Sequence, residues 1–368
     1  MIYLDNGATS FHKPPTVYRA VQRAMMTCAN PGRGGYDAAM EASRQVYNCR
    51  EEASNLFHCR PEQVVITTSC THGLNIAIQS MVKPGAEVVV SGFEHNAVMR
   101  PLYALGVQPR IAGRVLFDWE NTLEEFDRAL QGADAAVFTH VSNVFGYILP
   151  VEEMADLCRR RGVPFILDAA QSAGSLPLDL EKLGADFIAM PGHKGLLGPQ
   201  GTGLLLCSGS CQPLLYGGTG SASKLREMPE DLPERLEPGT LNVPGIAGLR
   251  EGIRYLNRVG VQSVFHREHT QLQRCVSGLR NLGIRCFSGA HQAGTVSILP
   301  EGDCEETAAL LARQGIAVRG GFHCAPLAHE SAGTLETGTV RVSFGFDATN
   351  AQTDGFLHAV SKFSPARK

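Results

Sequence analysis

Asp186-Phe-Ile-Ala-Met-Pro-Gly-His193-Lys194-Gly-Leu-Leu-Gly198-Pro-Gln-Gly201-Thr-Gly203 joins one apolar run to another through a glycine-rich turn, and that turn carries a lysine. Phe187 to Met190 reads as a buried strand, and Leu204 to Leu206 as the run that follows. Glycine lets a backbone bend tightly and come close to a ligand. A lysine at such a strand end suits a Schiff base with an aldehyde cofactor. Alone, the pattern is more often that of a solvated lysine beside a hairpin. The surrounding chain carries the decision.

Upstream, short apolar runs alternate with helical patterns. Strands are predicted over 64–67, 87–90, 135–138 and 164–167, and helices over 71–81, 95–104 and 151–161. Such alternation predicts an α/β fold with a mostly parallel sheet flanked by helices. Strands without polar alternation fit burial on both faces. Two further helices, over 16–27 and 37–57, precede this core, behind an extended arm over 1–15. Downstream, helices over 245–259 and 262–282 lead into a second, compact α/β piece. The predicted division is a large unit over 16–245 and a smaller one from 1–15 with 246–368. The loop over 30–35, with Arg33, reads as a connector that could line a site. The polar stretch Ser221 to Glu237 reads as a mobile or partner-contacting loop.

Bulk properties narrow the function. The chain has 368 residues, 43% of them hydrophobic, so a large core is available. A formal charge of −3 leaves no electrostatic footprint for nucleic acid. No apolar stretch approaches the roughly 20 residues of a membrane span. The start, Met-Ile-Tyr-Leu-Asp-Asn, lacks the pattern of a signal peptide, and a cytoplasmic location is expected. The eleven cysteines form no C-x-x-C pair, which argues against a metal site or a disulfide framework.

In open α/β sheets, ligands bind beyond the carboxyl ends of the strands. The residues at those ends are Cys70-Thr71, His95, Asn143, Asp168-Ala-Ala-Gln171 and His193-Lys194. Singly, each has a plain reading as a cap or a loop residue. In this order they resemble the class V aminotransferase superfamily of pyridoxal-phosphate enzymes of fold type I. Near the C-terminus, Arg319-Gly-Gly-Phe-His323-Cys324-Ala325-Pro326 resembles the active-cysteine segment of cysteine desulfurases and selenocysteine lyases, closest to the group II, SUF-type branch. The resemblance covers nearly the whole chain. It implies a seven-stranded sheet in the large unit and pyridoxal 5'-phosphate held as a Schiff base on Lys194.

The resemblance also implies a role for each residue. Lys194 holds the cofactor and shuttles a substrate proton, and Asp168 pairs with the pyridinium nitrogen. His95 stacks on the ring and takes part in proton exchange. Gln171 and Asn143 serve the phenolic side of the ring, with Asn143 also near substrate. Cys70, Thr71 and His193 hold the phosphate, the first two at a helix start where free N–H groups favour anions. Thr240 reaches the phosphate of a neighbouring subunit, which implies a homodimer with shared sites. Pro191 departs from the family, which often has serine there, and offers no donor to phosphate. His72 stands where acidic residues are common.

Arg341 and Arg319 match the arginines of the substrate site; a guanidinium suits a carboxylate because it makes two parallel hydrogen bonds. Cys324 matches the nucleophile. His323 and Arg319 are expected to favour its thiolate, and Gly320 and Gly321 to let its segment move. The implied reaction converts L-cysteine to L-alanine, with a persulfide on Cys324 for transfer to an acceptor protein. Selenocysteine lyase, and a class V aminotransferase in which Cys324 is incidental, are the alternatives.

Overall fold

A computed structural model describes residues 1–32, 34–221 and 223–363; Arg33 of the 30–35 loop lies outside them. The centre is a seven-stranded sheet. Its order is Val64–Thr67, Gly203–Cys207, Phe187–Pro191, Phe165–Asp168, Ala135–Thr139, Val88–Ser91, Arg110–Ala112. Gly203–Cys207 runs antiparallel to both its neighbours, and the other pairings are parallel. All but the edge strand Arg110–Ala112 are buried along their length, as runs such as Val-Val-Val-Ser require.

Local signals explain the helices. Val151–Arg161 follows Pro150, carries Glu152 and Glu153 in its first turn and Arg159 to Arg161 in its last, and ends on Gly162 at φ 66°. These charges complement the helix dipole, and the left-handed cap suits glycine. Pro101 sits inside Asn96–Ala104, a helix predicted despite that proline. The strand Arg110–Ala112 and the helix Trp119–Ala129 are among the elements not predicted. Asp118 caps that helix, accepting from Asn121 N at 2.9 Å.

A four-stranded antiparallel sheet forms the second layer, in the order Arg319–Gly321, Thr339–Ser343, Thr295–Ile298, Cys286–Phe287. The amino-terminal arm joins this unit: Ile2–Tyr3 pairs in parallel with Ile316–Ala317, and Asp5 bridges to Ser343. The long helix Val243–Val259 buries Ile246, Leu249, Ile253 and Leu256 in the core beneath the large sheet. Packing of the large unit therefore continues past residue 245.

Glu237 ends the polar stretch that reads as mobile, and it is locked in the core. Its carboxylate accepts from Ile66 N at 2.6 Å and pairs with Arg50 at 2.5 Å, with both side chains buried. Removing one partner of a buried pair strands the other charge. Arg50→Ala is expected to cost about 3–5 kcal/mol of unfolding free energy, read from urea denaturation. A loss under about 0.5 kcal/mol, the range of ordinary surface substitutions, contradicts the anchoring role.

Candidate active site

The predicted residues gather beyond the carboxyl ends of the interior strands: Asp168 ends one strand and meets Cys70, and Asn143 reaches across to His323. Asp168 closes its strand and is 2% exposed. Its Oδ1 accepts from Ala170 N at 2.9 Å and from the Cys70 thiol at 3.4 Å. No hydrogen bond among the described residues uses its Oδ2. Burial raises its carboxyl above the usual range, opposed by the Ala170 N–H and the Lys194 charge. Lys194 has no hydrogen-bond partner for its amine among the described residues. Burial, then the Arg341 charge, lowers its pKa.

His95 is the N-cap of Asn96–Ala104, and its Nδ1 accepts from Ala97 N at 3.0 Å. That bond assigns the ring proton to Nε2. Burial, then the charges of Lys194, Arg319, Arg100 and Arg341, push its pKa down to about 4, so the ring is neutral at pH 7.

Arg319 and Arg341 face each other across adjacent antiparallel strands. Cross-strand partners share a sheet face, and like charges there repel. Arg341 is fully buried. Its Nη2 donates to Asp5 at 2.6 Å and its Nη1 to Asn143 O at 3.0 Å, while its Nε is buried without an acceptor. Arg319 is exposed and makes no ion pair among the described residues. Its field still reaches Lys194, His95 and Arg341.

Cys324 is the exposed member of the eleven cysteines. It and His323 both take left-handed backbone angles, φ 57° and 51°. Such angles cost side-chain-bearing residues roughly 1–3 kcal/mol each and persist where surrounding contacts impose them. Here Asn143 Nδ2 donates to His323 O at 2.8 Å, and Asn96 N donates to Cys324 O at 2.8 Å. The thiol loop is thus tied to the two loops that carry Asn143 and His95.

Two expectations about this loop are corrected. His323 is turned inward toward Thr339, and burial pushes its pKa down to about 2, so it lends no positive charge to the thiol. Gly320 is not a source of freedom: a Cβ there would stand 2.5 Å from the Cys304 carbonyl oxygen, so close packing demands glycine.

The model of the family described as aminotransferase class-V matches residues 2–356. The chain belongs to this family. Among its relatives, a probable cysteine desulfurase of Methanothermobacter thermautotrophicus is 32% identical over 95% of this chain and 92% of the relative. One from Pyrococcus abyssi is 30% identical over 97% and 92%. An apo cysteine desulfurase of Thermococcus onnurineus superposes with a TM-score of 0.91 at 30% identity, covering 99% of this chain and 95% of that one. The architecture is that of the fold-type-I enzymes.

The class-V aminotransferase fold implies pyridoxal phosphate, and the residues present fit it. Asp168 has one carboxylate oxygen satisfied and one left for a ring N–H. Lys194 offers an amine with lowered pKa. The helix Cys70–Met81 begins behind Ser69, whose side chain accepts from His72 N. The N–H groups of Cys70 and Thr71 make no hydrogen bond among the described residues and suit a phosphate. His72 Nδ1 accepts from Thr68 N at 3.3 Å, and burial lowers its pKa. Pro191 ends its strand and supplies no donor.

The other predicted residues fall as follows. Gln171 Nε2 donates to Gly7 O at 3.0 Å. The His193 ring sits 3.0 Å from the Thr9 hydroxyl through Nδ1, so a phosphate contact from this ring uses Nε2. Thr240 is not brought to Lys194 within one chain. It is exposed and lines a separate cleft with Gly218 and Glu237.

Sequence reasoning predicted the amino-terminal arm but not its contacts with the lysine loop. Ser10 N, Ser10 Oγ, Thr9 Oγ1 and Lys13 Nζ all donate to His193 O, at 3.0–3.2 Å. The signal was present in Thr9-Ser10 and Lys13, a cluster of donors in a segment with no pattern of its own.

Glu94 stands at the same strand end as His95 and has no role assigned from sequence. It is fully buried one residue before His95, and its Oε1 accepts from Ser91 Oγ at 2.5 Å and Thr139 N at 2.9 Å. Burial raises its pKa to about 8, against about 4.3 for a free glutamate. A raised folded-state pKa gives stability that is full below the unfolded value and lost as pH rises through the folded one. Unfolding free energy should fall between about pH 5 and about pH 8, and Glu94→Gln should flatten that fall. Urea titrations at both pH values check this; an unchanged slope in the variant contradicts it.

Proposed function

We propose that this chain is a pyridoxal 5'-phosphate-dependent cysteine desulfurase that releases L-alanine and carries the sulfur as a persulfide on Cys324. The observation that carries the reading is the exposed Cys324 thiol on a strained turn, fastened to the loops of His95 and Asn143 beside Lys194. An aminotransferase has no use for such a thiol.

When bound, the cofactor supplies an electron sink that makes the substrate α-carbon acidic and weakens the bond to sulfur. The protein supplies the rest. Lys194 Nζ holds the cofactor and moves the α-proton, and burial shifts its pKa toward the neutral amine. Asp168 Oδ2 holds the ring nitrogen, with Cys70 and Ala170 on Oδ1. The backbone of Cys70 and Thr71 holds the phosphate, together with His193. Gln171 and Asn143 border the phenolic side. Arg341 and Arg319 receive the substrate carboxylate, and the repulsion between them is relieved by that anion.

The neutral His95 ring presents an Nε2–H donor. The Cys324 thiolate attacks the substrate sulfur. A sulfur–sulfur bond forms, the carbon–sulfur bond breaks, and the electron pair left on carbon takes a proton to give alanine. Desulfurase relatives over the whole chain support this assignment.

The enzyme is read as a cytoplasmic homodimer in which Thr240 completes the partner's phosphate site. Exposed Tyr36, Met40 and Tyr47 beside and on one helix support a covered face. An acceptor protein takes the sulfur from Cys324. Purified protein supplied with pyridoxal phosphate, L-cysteine and reductant tests the reading: alanine and sulfide should form in equal amounts. Keto acid without sulfide contradicts it. Parallel assays with L-selenocysteine assign the preferred substrate.

A further inference from the structure

We propose that Asp5 of the amino-terminal arm is the positioning residue of the carboxylate site, acting through Arg341. The inference rests on the reading of Arg341 as the carboxylate arginine. Arg341 is buried to 2% of its side chain, and its one acidic partner is Asp5, at 2.6 Å. That bond uses Nη2, and Asn143 O takes Nη1, so two fixed acceptors hold the guanidinium plane. The Nε–H is left buried with no acceptor. A carboxylate arriving along the edge of Nε and Nη2 finds one unspent donor on each nitrogen.

The arm is built to hold Asp5 there. The single proton of Tyr3 Oη is shared between Asp5 O at 3.1 Å and Thr9 O at 2.9 Å, bracing the turn from both ends. Asn6 Nδ2 and Gly7 N bind Ser343, two residues beyond Arg341 on its strand. At position 7 a Cβ would come 3.1 Å from Arg341 Cζ, tight enough that the guanidinium would have to shift to make room for it.

Charge makes the same case. Burial lowers the Arg341 pKa, Asp5 raises it, and Arg319, standing opposite, lowers it further. Without Asp5 the guanidinium would be a buried cation facing another cation, free to turn away from the substrate edge. The arm then continues to the lysine loop, where Thr9, Ser10 and Lys13 converge on His193 O, and Gly7 O holds Gln171. One short segment thus ties the carboxylate arginine to the cofactor lysine.

The test uses holoenzyme and two probes, L-alanine and L-alaninamide, which differ in the carboxylate. Each is titrated by the change in cofactor absorbance, in wild type, Asp5→Ala and Asp5→Asn. Wild type should bind alanine more tightly than alaninamide. In Asp5→Ala that preference should fall at least about tenfold, with alaninamide affinity within about twofold of wild type. Asp5→Asn, which keeps an acceptor oxygen but no charge, should fall between. Equal weakening of both probes would mean a merely structural role, and tighter alanine binding in Asp5→Ala would make Asp5 a competitor; either overturns the proposal. The sulfide assay on wild type is read separately. A protein that binds alanine but releases no sulfide loses the desulfurase reading and leaves this test intact.

Discussion

Cys324→Ala is expected to lower sulfide release from L-cysteine by at least about a thousandfold, because no other group in the site replaces the nucleophile. The cofactor absorbance should stay unchanged, since Cys324 bonds neither Lys194 nor Asp168; its backbone carbonyl is held by Asn96 N. Cysteines that are buried cannot substitute. Cys70 is the nearest in chemistry to the site, but it donates to Asp168, and burial and that carboxylate raise its pKa well above the ordinary thiol value. Its thiol is therefore a hydrogen-bond donor at pH 7 and not a thiolate. Steady-state sulfide assays with reductant, alongside absorbance spectra, check both halves. Near-wild-type rates in the variant would remove Cys324 from the reaction.

Lys194→Ala has the second large effect. Desulfurase activity should fall by at least about ten-thousandfold, through combined loss of cofactor anchoring and proton transfer at one atom. The visible band of lysine-linked cofactor should disappear while the fold remains. The turn itself does not depend on the Lys194 side chain. Gly192 N bonds Thr202 O, Gly198 N bonds Gly192 O, and the arm holds the carbonyl of His193. Lys194→Arg should not restore activity, because a guanidinium stays protonated near neutral pH and is a poor nucleophile. Unfolding midpoints close to wild type would attribute the loss to chemistry; an absorbance band that survives in Lys194→Ala would contradict its assignment.

The parts legible in the sequence were those with strong local signatures. Val88–Ser91, Phe165–Asp168 and Phe187–Pro191 are fully buried, and their uninterrupted apolar runs announce it. Position marked their ends as ligand-facing, because a strand end in a parallel sheet is where ligands meet the chain, but the chemistry assigned there came from the resemblance to the class V aminotransferases. The Trp119–Ala129 helix was readable in principle from Asp118 and the spacing of Leu123, Phe126 and Leu130, but its charged outer face obscures the stripe.

Other features exist only through distant contacts. Asp5 and Arg341 are separated by 336 positions, and Glu237 meets Ile66 N across 171. Nothing local in either segment encodes the partner. Gly320 shows how a residue type misleads: it reads as flexibility in sequence and is a packing requirement against the Cys304 carbonyl in the fold. His323 likewise reads as a charge beside Cys324 and is a buried neutral ring.

Cysteine desulfurase chemistry at Cys324 is tested most directly by a single exposure of the holoenzyme to L-cysteine without reductant, followed by peptide mass analysis. The peptide containing Cys324 should gain the mass of one sulfur atom, lose it on adding a thiol reductant, and release one alanine for each sulfur bound. Alanine without added sulfur on Cys324, or sulfur found on another cysteine while Cys324 stays unmodified, would contradict the account.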